Sequence, residues 1–286
     1  MKHSIVPLPR SEIVDPDHAA LYAACEPGVA LCTIVRIDGS FSRRCGAQIA
    51  VRPDGSVVGD LADTCLERQL ACDARRATGP QLSRFGKGSP LIDFRLPCGG
   101  GLDILIDPSP DRAMIRLAVE ALAARRPTAL PLPRNAWLNQ RCYMPSLRIC
   151  AIGEGPELDW LAMVGAAAGI DVQVLGKRHL SLGQSPRLPT PDRWTAVILL
   201  FHDHEWEGPL LAHALRSDAF YIGAQGGEKA RAQRVHALQR DGFGRDQLAR
   251  VKSPIGLVPS SRSPQALALS ILSDVMNRYE ALHPHG

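Results

Sequence analysis

Apolar and polar positions follow two different rhythms along this chain. Before about residue 126 the apolar stretches are short, alternating and separated by turns. Val29–Ile37 is rich in Val, Ile and Thr and predicts a strand that ends at the Asp38-Gly39-Ser40 turn. Ala47–Arg52 alternates, Pro53-Asp54-Gly55 reads as a hairpin turn, and Ser56–Gly59 returns. Leu91–Leu96 and Leu102–Asp107 read as strands on either side of Pro97-Cys98-Gly99-Gly100-Gly101. Three helices complete this half. They are Asp15–Cys25 with Leu21 and Tyr22 facing inward, Thr64–Ala77 capped by Asp63 or Thr64, and Pro110–Arg126 capped by Ser109.

Residues 127–145 are proline-rich and lack periodicity, so they read as a linker. After it the pattern becomes strand, helix, strand. Leu147–Ile152 and Trp194–Phe201 are continuous apolar runs, as expected of strands buried on both faces of a parallel sheet. Asp171–Leu175 and Ala219–Ile222 are shorter strands. Helices are expected over Pro156–Ala168, Pro209–Arg216, Gly226–Arg240, Arg245–Val251 and Pro264–Ala281. The expected fold class is α/β: an N-terminal α+β domain (1–126), the linker, and a Rossmann-like doubly wound parallel sheet (146–286).

Charge and composition narrow the function classes. The formal net charge is +4, with 18 Lys/Arg against 15 Asp/Glu up to Pro145 and 15 against 14 beyond it. Neither half is a basic arm and aromatics are 5%, which argues against nucleic acid as a partner. No apolar run approaches the roughly 18 residues of a membrane span. Met1–Arg10 holds no apolar core of a signal peptide, so a cytoplasmic location is expected. All eight cysteines (Cys25, Cys32, Cys45, Cys65, Cys72, Cys98, Cys142 and Cys150) lie in the first 150 residues without a CxxC pair. They read as reduced thiols, most of them small core residues.

Four constellations carry possible chemistry. Gly153-Glu154-Gly155-Pro156 follows the first strand of the second half, where glycine backbone and a helix N-terminus can approach a pyrophosphate. The same sequence also suits a plain strand-to-helix turn. Leu175 is followed by Gly176-Lys177-Arg178, so a ribose-binding acid is missing, while the two cations would suit a phosphate. Phe201-His202-Asp203-His204-Glu205 ends the third strand, where ligands of open α/β sheets bind. Tyr221-Ile222-Gly223-Ala224-Gln225-Gly226-Gly227 again crowds glycines at a strand-to-helix junction; ligand approach and close helix packing both explain it. Cys65, in the first turn of a helix, and Cys98, beside three glycines, are candidate soft ligands or sulfur carriers, with core packing the alternative. No nucleophile–base pair emerges, so no catalytic residue is assigned.

These segments together resemble the xanthine dehydrogenase accessory factor (XdhC/CoxI) family. The N-terminal likeness runs through Ile34–Ser40, Arg43–Ala47, Asp54–Gly59, Cys65-Leu66-Glu67 and Cys98-Gly99-Gly100. The C-terminal likeness runs through His202–Glu205, Tyr221–Gly226, Pro254-Ile255-Gly256-Leu257 and Ser263-Pro264 with the following helix. The resemblance implies a chaperone rather than an enzyme. Such a protein binds the molybdenum cofactor (molybdopterin), supports its sulfuration, and inserts it into an apo molybdenum hydroxylase of the xanthine or aldehyde dehydrogenase type. A cysteine desulfurase or other sulfur donor and a homodimer are implied as well. Carried over, Cys98 and Cys65, with Gly99 and Gly100, face the metal end, Cys98 being the candidate molybdenum contact. Gly153, Gly155, Gly223 and Gly226 face a phosphate or nucleotide end, and His202 and His204 line the crevice. The alternatives are an NAD(P)-dependent oxidoreductase on the Rossmann half, and a pure interaction protein that binds no small molecule.

Overall fold

The computed structural model describes residues 16–90, 99–182, 184, 188–258 and 261–285. The chain divides into two units, one formed by residues 16–145 with 283–285 and the other by residues 146–282. Each is described by itself.

The first unit opens on a 3-10 turn and α1 (Ala19–Ala23), followed by β1 (Ala30–Asp38), β2 (Gln48–Val51) and β3 (Val57–Gly59). Then come α2 (Thr64–Arg76), β4 (Gln81–Gly86), β5 (Gly101–Asp107), α3 (Arg112–Ala123), β6 (Thr128–Pro131) and β7 (Gln140–Tyr143). Five strands form an antiparallel sheet in the order β3-β2-β1-β5-β4. Its central strand β1 is buried from Ala30 to Val35 on both faces, because helices cover both. Cys32 and Ile34 pack with Leu66 and Leu70 of α2. Leu31, one residue out of phase, packs with α1 and with Ile115 and Leu122 of α3.

Several local expectations need correcting here. Tyr22 is 38% exposed, whereas its neighbour Leu21 is fully buried, because consecutive helix residues point in different directions. The cap of α3 is Asp111 rather than Ser109, its carboxylate accepting from the amides of Ala113 and Met114. β4 was not expected, because only Phe85 of its residues is buried: it is an edge strand held by pairing to β5. The expected strand Leu91–Leu96 lies outside the described residues. The expected linker is not a bare connector. Its β6 and β7 pair as a hairpin, and Leu130, Arg141 and Tyr143 are buried. Among the seven described cysteines, all unbridged, only Cys32 and Cys150 are buried, where desolvation pushes each thiol up to about 12; Cys65 and Cys72 are exposed.

The second unit runs β8 (Arg148–Gly153), α4 (Pro156–Ala167), β9 (Asp171–Gly176), β10 (Thr195–Leu200), α5 (Glu207–Leu215), β11 (Tyr221–Ala224), α6 (Glu228–Arg240), α7 (Arg245–Ala249), β12 (Val251–Lys252) and α8 (Pro264–Glu280). The five strands are parallel, in the order β9-β8-β10-β11-β12. The segment Arg245–Val251, expected as one helix, instead ends as α7 and turns into edge strand β12. β10 is buried at every residue. Val197, Leu199 and Phe201 meet Leu210, Leu211 and Leu238 of α5 and α6, while the alternate residues point to the opposite face of the sheet; α4 packs on β8 and β9 and against α8. This is a Rossmann-like, doubly wound sheet. In order of appearance the strands lie 2-1-3-4-5, which places the topological switch point between β8 and β10.

Candidate functional site

The switch point draws together the ends of β8, β9 and β10. Gly155 is the N-cap of α4 at φ +88°, a conformation that favours glycine, and it offers no side-chain cap. A Cβ placed there would meet Glu157 Oε2 at 3.1 Å and His202 Nε2 at 3.7 Å. Gly155 and His202, distant in sequence, are therefore neighbours. His202 is 63% exposed and stands 3.6 Å from Glu157 Oε2. That oxygen is buried and has no hydrogen-bond partner among the described residues. Glu154 is paired by Lys177 Nζ at 3.1 Å, and the same ammonium lies 3.7 Å from Asp203 and 4.9 Å above the Trp206 ring. Lys177, expected as a phosphate partner, is thus engaged by two carboxylates. With Gly176 at the end of β9, the strand closes without a ribose-binding acid, and Arg178, the other cation expected to suit a phosphate, is exposed with its Nε 3.4 Å from His179 Nε2.

A second cluster lies where β10 and β11 end. Glu207 and Arg234 are 1% and 6% exposed and form an ion pair. The guanidinium also donates to Ser253 Oγ (2.7 Å), to Glu207 Oε1 (3.2 Å) and to the carbonyl of Gln225. His204 Nδ1 sits 3.1 Å from Glu207 Oε1 and 3.4 Å from Arg234 Nη2. This imidazole is held by one nitrogen and is about one-third exposed. A Cβ at Gly226 (φ +123°) would meet Arg234 Nη2 at 3.0 Å and His204 Cε1 at 3.2 Å. Gly227 caps α6 with no side-chain bond, and a Cβ placed on it would meet nothing within 4 Å, so this helix N-terminus is open. An anion can be held here by backbone amides and the positive end of the helix dipole.

The remaining two glycines of the set have reasons inside the fold. A Cβ at Gly153 would lie 2.0 Å from the carbonyl oxygen of Leu200 on the neighbouring strand. A Cβ at Gly223 would lie 2.4 Å from Ile255 Cδ1. Close packing of backbone and side chains accounts for both positions.

In the first unit, Cys98 lies outside the described residues. The glycines after it are placed. Gly99 is exposed at φ +68°, and the Gly100 carbonyl accepts from Lys87 N at 2.9 Å. The Asp38-Gly39 turn meets this loop: Asp38 pairs with Gly101, and a Cβ on Gly39 would be 3.5 Å from Gly100 Cα. Two motifs far apart in sequence therefore meet at one sheet end. Around them stand residues that the sequence did not single out. Arg84 bridges Asp38 (3.0 Å) and buried Asp103 (2.9 Å), and Arg36 lies 3.8 Å from Asp103 and 4.1 Å above the exposed Trp137 ring. A single arginine inside an edge strand carried no signal of this role. Cys65 is exposed in the first turn of α2, where Asp63 caps the helix by accepting from Cys65 N and Leu66 N, each at 3.0 Å. No group of three or more metal-ligating side chains occurs among the described residues.

Comparison with known proteins bears on both units. Residues 24–86 match the XdhC and CoxI family, and residues 149–275 match the XdhC Rossmann domain. A curated relative, the molybdenum cofactor insertion chaperone PaoD of Escherichia coli (strain K12), is 32% identical over 267 residues. That alignment spans 87% of this chain and 82% of the relative. Among solved structures, a crystal structure described as a xanthine dehydrogenase from Bacillus halodurans superposes with a TM-score of 0.67. It covers 92% of this chain and 96% of that one at 16% identity, a likeness of fold.

Proposed function

We propose, from the premise that this chain belongs to the XdhC and CoxI family, that it is a chaperone that binds the molybdenum cofactor and delivers it to a molybdenum enzyme. The observation that carries the reading is its identity to an insertion chaperone across most of both chains. The residues fit such a cargo, which combines an anionic phosphate with a pterin rich in N–H donors. The open N-terminus of α6 at Gly226-Gly227 suits the phosphate. The unpartnered Glu157 oxygen beside Gly155 and His202 suits hydrogen-bond donors, because a buried acceptor left unpaired costs about 1–3 kcal/mol.

Cys65 and the Cys98-Gly99-Gly100 loop are the thiols proposed for the molybdenum end. A thiolate is a soft ligand suited to such a metal centre. Sulfuration of the bound cofactor by a cysteine desulfurase or another donor, a client of the xanthine or aldehyde dehydrogenase type, a homodimer and a cytoplasmic setting complete the proposal. The test is transfer. The chain is loaded anaerobically, freed of excess cofactor, and mixed with a cofactor-free molybdenum hydroxylase. Activation proportional to the load supports delivery; an inactive client with all molybdenum still on the chain, or equal activation by a loaded unrelated protein, refutes it.

A further inference from the structure

A groove between α6, α7 and β12 encloses a cavity of about 400 Å³, within the size range of small-molecule sites. Its wall on α6 is one helical face: Arg231, Arg234, Val235 and Leu238 recur at the three- and four-residue spacing that aligns side chains. Leu248 of α7 and Val251 of β12 complete an apolar floor continuous with the core of the unit. The lining contains three arginines and no carboxylate. Arg231 is 54% exposed, with Glu228 at 3.7 Å, and Arg245 is exposed. Two guanidinium forks at the rim of a concave apolar floor call for an anion attached to an apolar body. Gln239, an exposed amide, and Ser253, whose hydroxyl oxygen accepts from Arg234 and whose hydroxyl proton can donate, are neutral polar groups in the lining of the kind that meet a base edge or a sugar hydroxyl.

We infer that this cavity is a second ligand site, for a nucleoside monophosphate. Its phosphate is held by Arg231 and Arg245, whose planar forks match phosphate oxygens, and its ring covers the floor. The inner wall is Arg234, whose own donors hold Glu207, Ser253, Gln225 and His204. Ligand in this cavity therefore touches the side chain that positions Gln225 and His204 at the end of the sheet. The inference does not rest on the cofactor reading.

Calorimetric titration of the full chain with AMP, CMP and GMP tests it, with the matching nucleosides and inorganic phosphate as comparisons. At least one monophosphate should bind stoichiometrically, and at least about tenfold more tightly than its nucleoside or phosphate alone. The doubly substituted Arg231→Gln/Arg245→Gln chain, altered only at exposed positions, should lose at least about tenfold in affinity. Ala249→Trp, which fills the groove from an exposed residue, should abolish binding. Circular dichroism and melting temperature confirm that each variant is folded. Absence of binding by every monophosphate, undiminished affinity in the double variant, or equal affinity for a long-chain fatty acid would each overturn the assignment.

Discussion

Glu207 and Arg234 are both more than nine-tenths buried, and together they fix His204, Ser253 and Gln225. Removing one partner of a buried ion pair leaves the other charged and desolvated. Glu207→Ala should therefore cost about 3–5 kcal/mol, measured by urea denaturation. A loss below about 1 kcal/mol, the scale of an exposed pair, would mean that the network is solvated. Gly153 makes the complementary case: a methyl group 2.0 Å from the Leu200 carbonyl forces strand β8 away from β10. Gly153→Ala should destabilise the chain by about 1–3 kcal/mol, whereas Gly227→Ala, with open space around it, should leave the melting temperature near that of the parent. If the two behave alike, the packing account of Gly153 is wrong.

In the first unit the fully buried Arg141 gathers Asp17, His283 and His285. Burial alone would raise the Asp17 carboxyl, but the His283 hydrogen bond and the Arg141 charge hold it well below the ordinary range. Burial, with the Arg141 and His283 charges adding to it, lowers His285 to about 4, and its Nε2 accepts from Cys142 N at 2.9 Å. A neutral folded imidazole binds fewer protons than the unfolded one between pH 4 and 6.5, so stability rises with pH across that window and is eroded as pH falls through it. His285→Gln should flatten this part of a melting-temperature profile. An unchanged slope would show that other groups carry it. None of this was legible in the sequence, because a lone arginine between prolines and two histidines near the end of the chain have no local pattern. His202 and Gly155 were legible, since strand ends in a parallel sheet converge by topology.

At the scale of elements, the parallel sheet could be read almost strand by strand. The run Thr195–Leu200 is buried on both faces and so is continuously apolar. β4 escaped because the edge strand Gln81–Gly86 buries only Phe85 and is defined by its partner. The β6–β7 hairpin escaped because Pro131 and Pro133 mask its pairing, although Leu130 and Tyr143 are core residues. Helix caps follow side-chain reach rather than residue type, which is why Asp111 and not Ser109 caps α3. The same logic gives a prediction at α2. Asp63→Ala removes an acceptor shared by two amides and should cost about 1 kcal/mol in urea denaturation, with Asp63→Asn retaining most of it. Equal losses in the two variants would point to charge rather than capping.

For the molecule as a whole, near-balanced charge leaves the chemistry to local features: the glycine-capped N-termini of α4 and α6, a buried Glu157 oxygen without a hydrogen-bond partner and exposed thiol positions. No helix among the described residues is long and apolar enough to cross a membrane. The family implies a carrier, and carriers are tested by what they hold. The most direct measurement is anaerobic retention of molybdenum cofactor by the full chain, with molybdenum and pterin quantified after ultrafiltration. The account predicts close to stoichiometric retention by the parent chain, reduced when Cys98 or Gly155 is replaced in folded variants. Molybdenum and pterin passing wholly into the filtrate with the parent chain folded would contradict it.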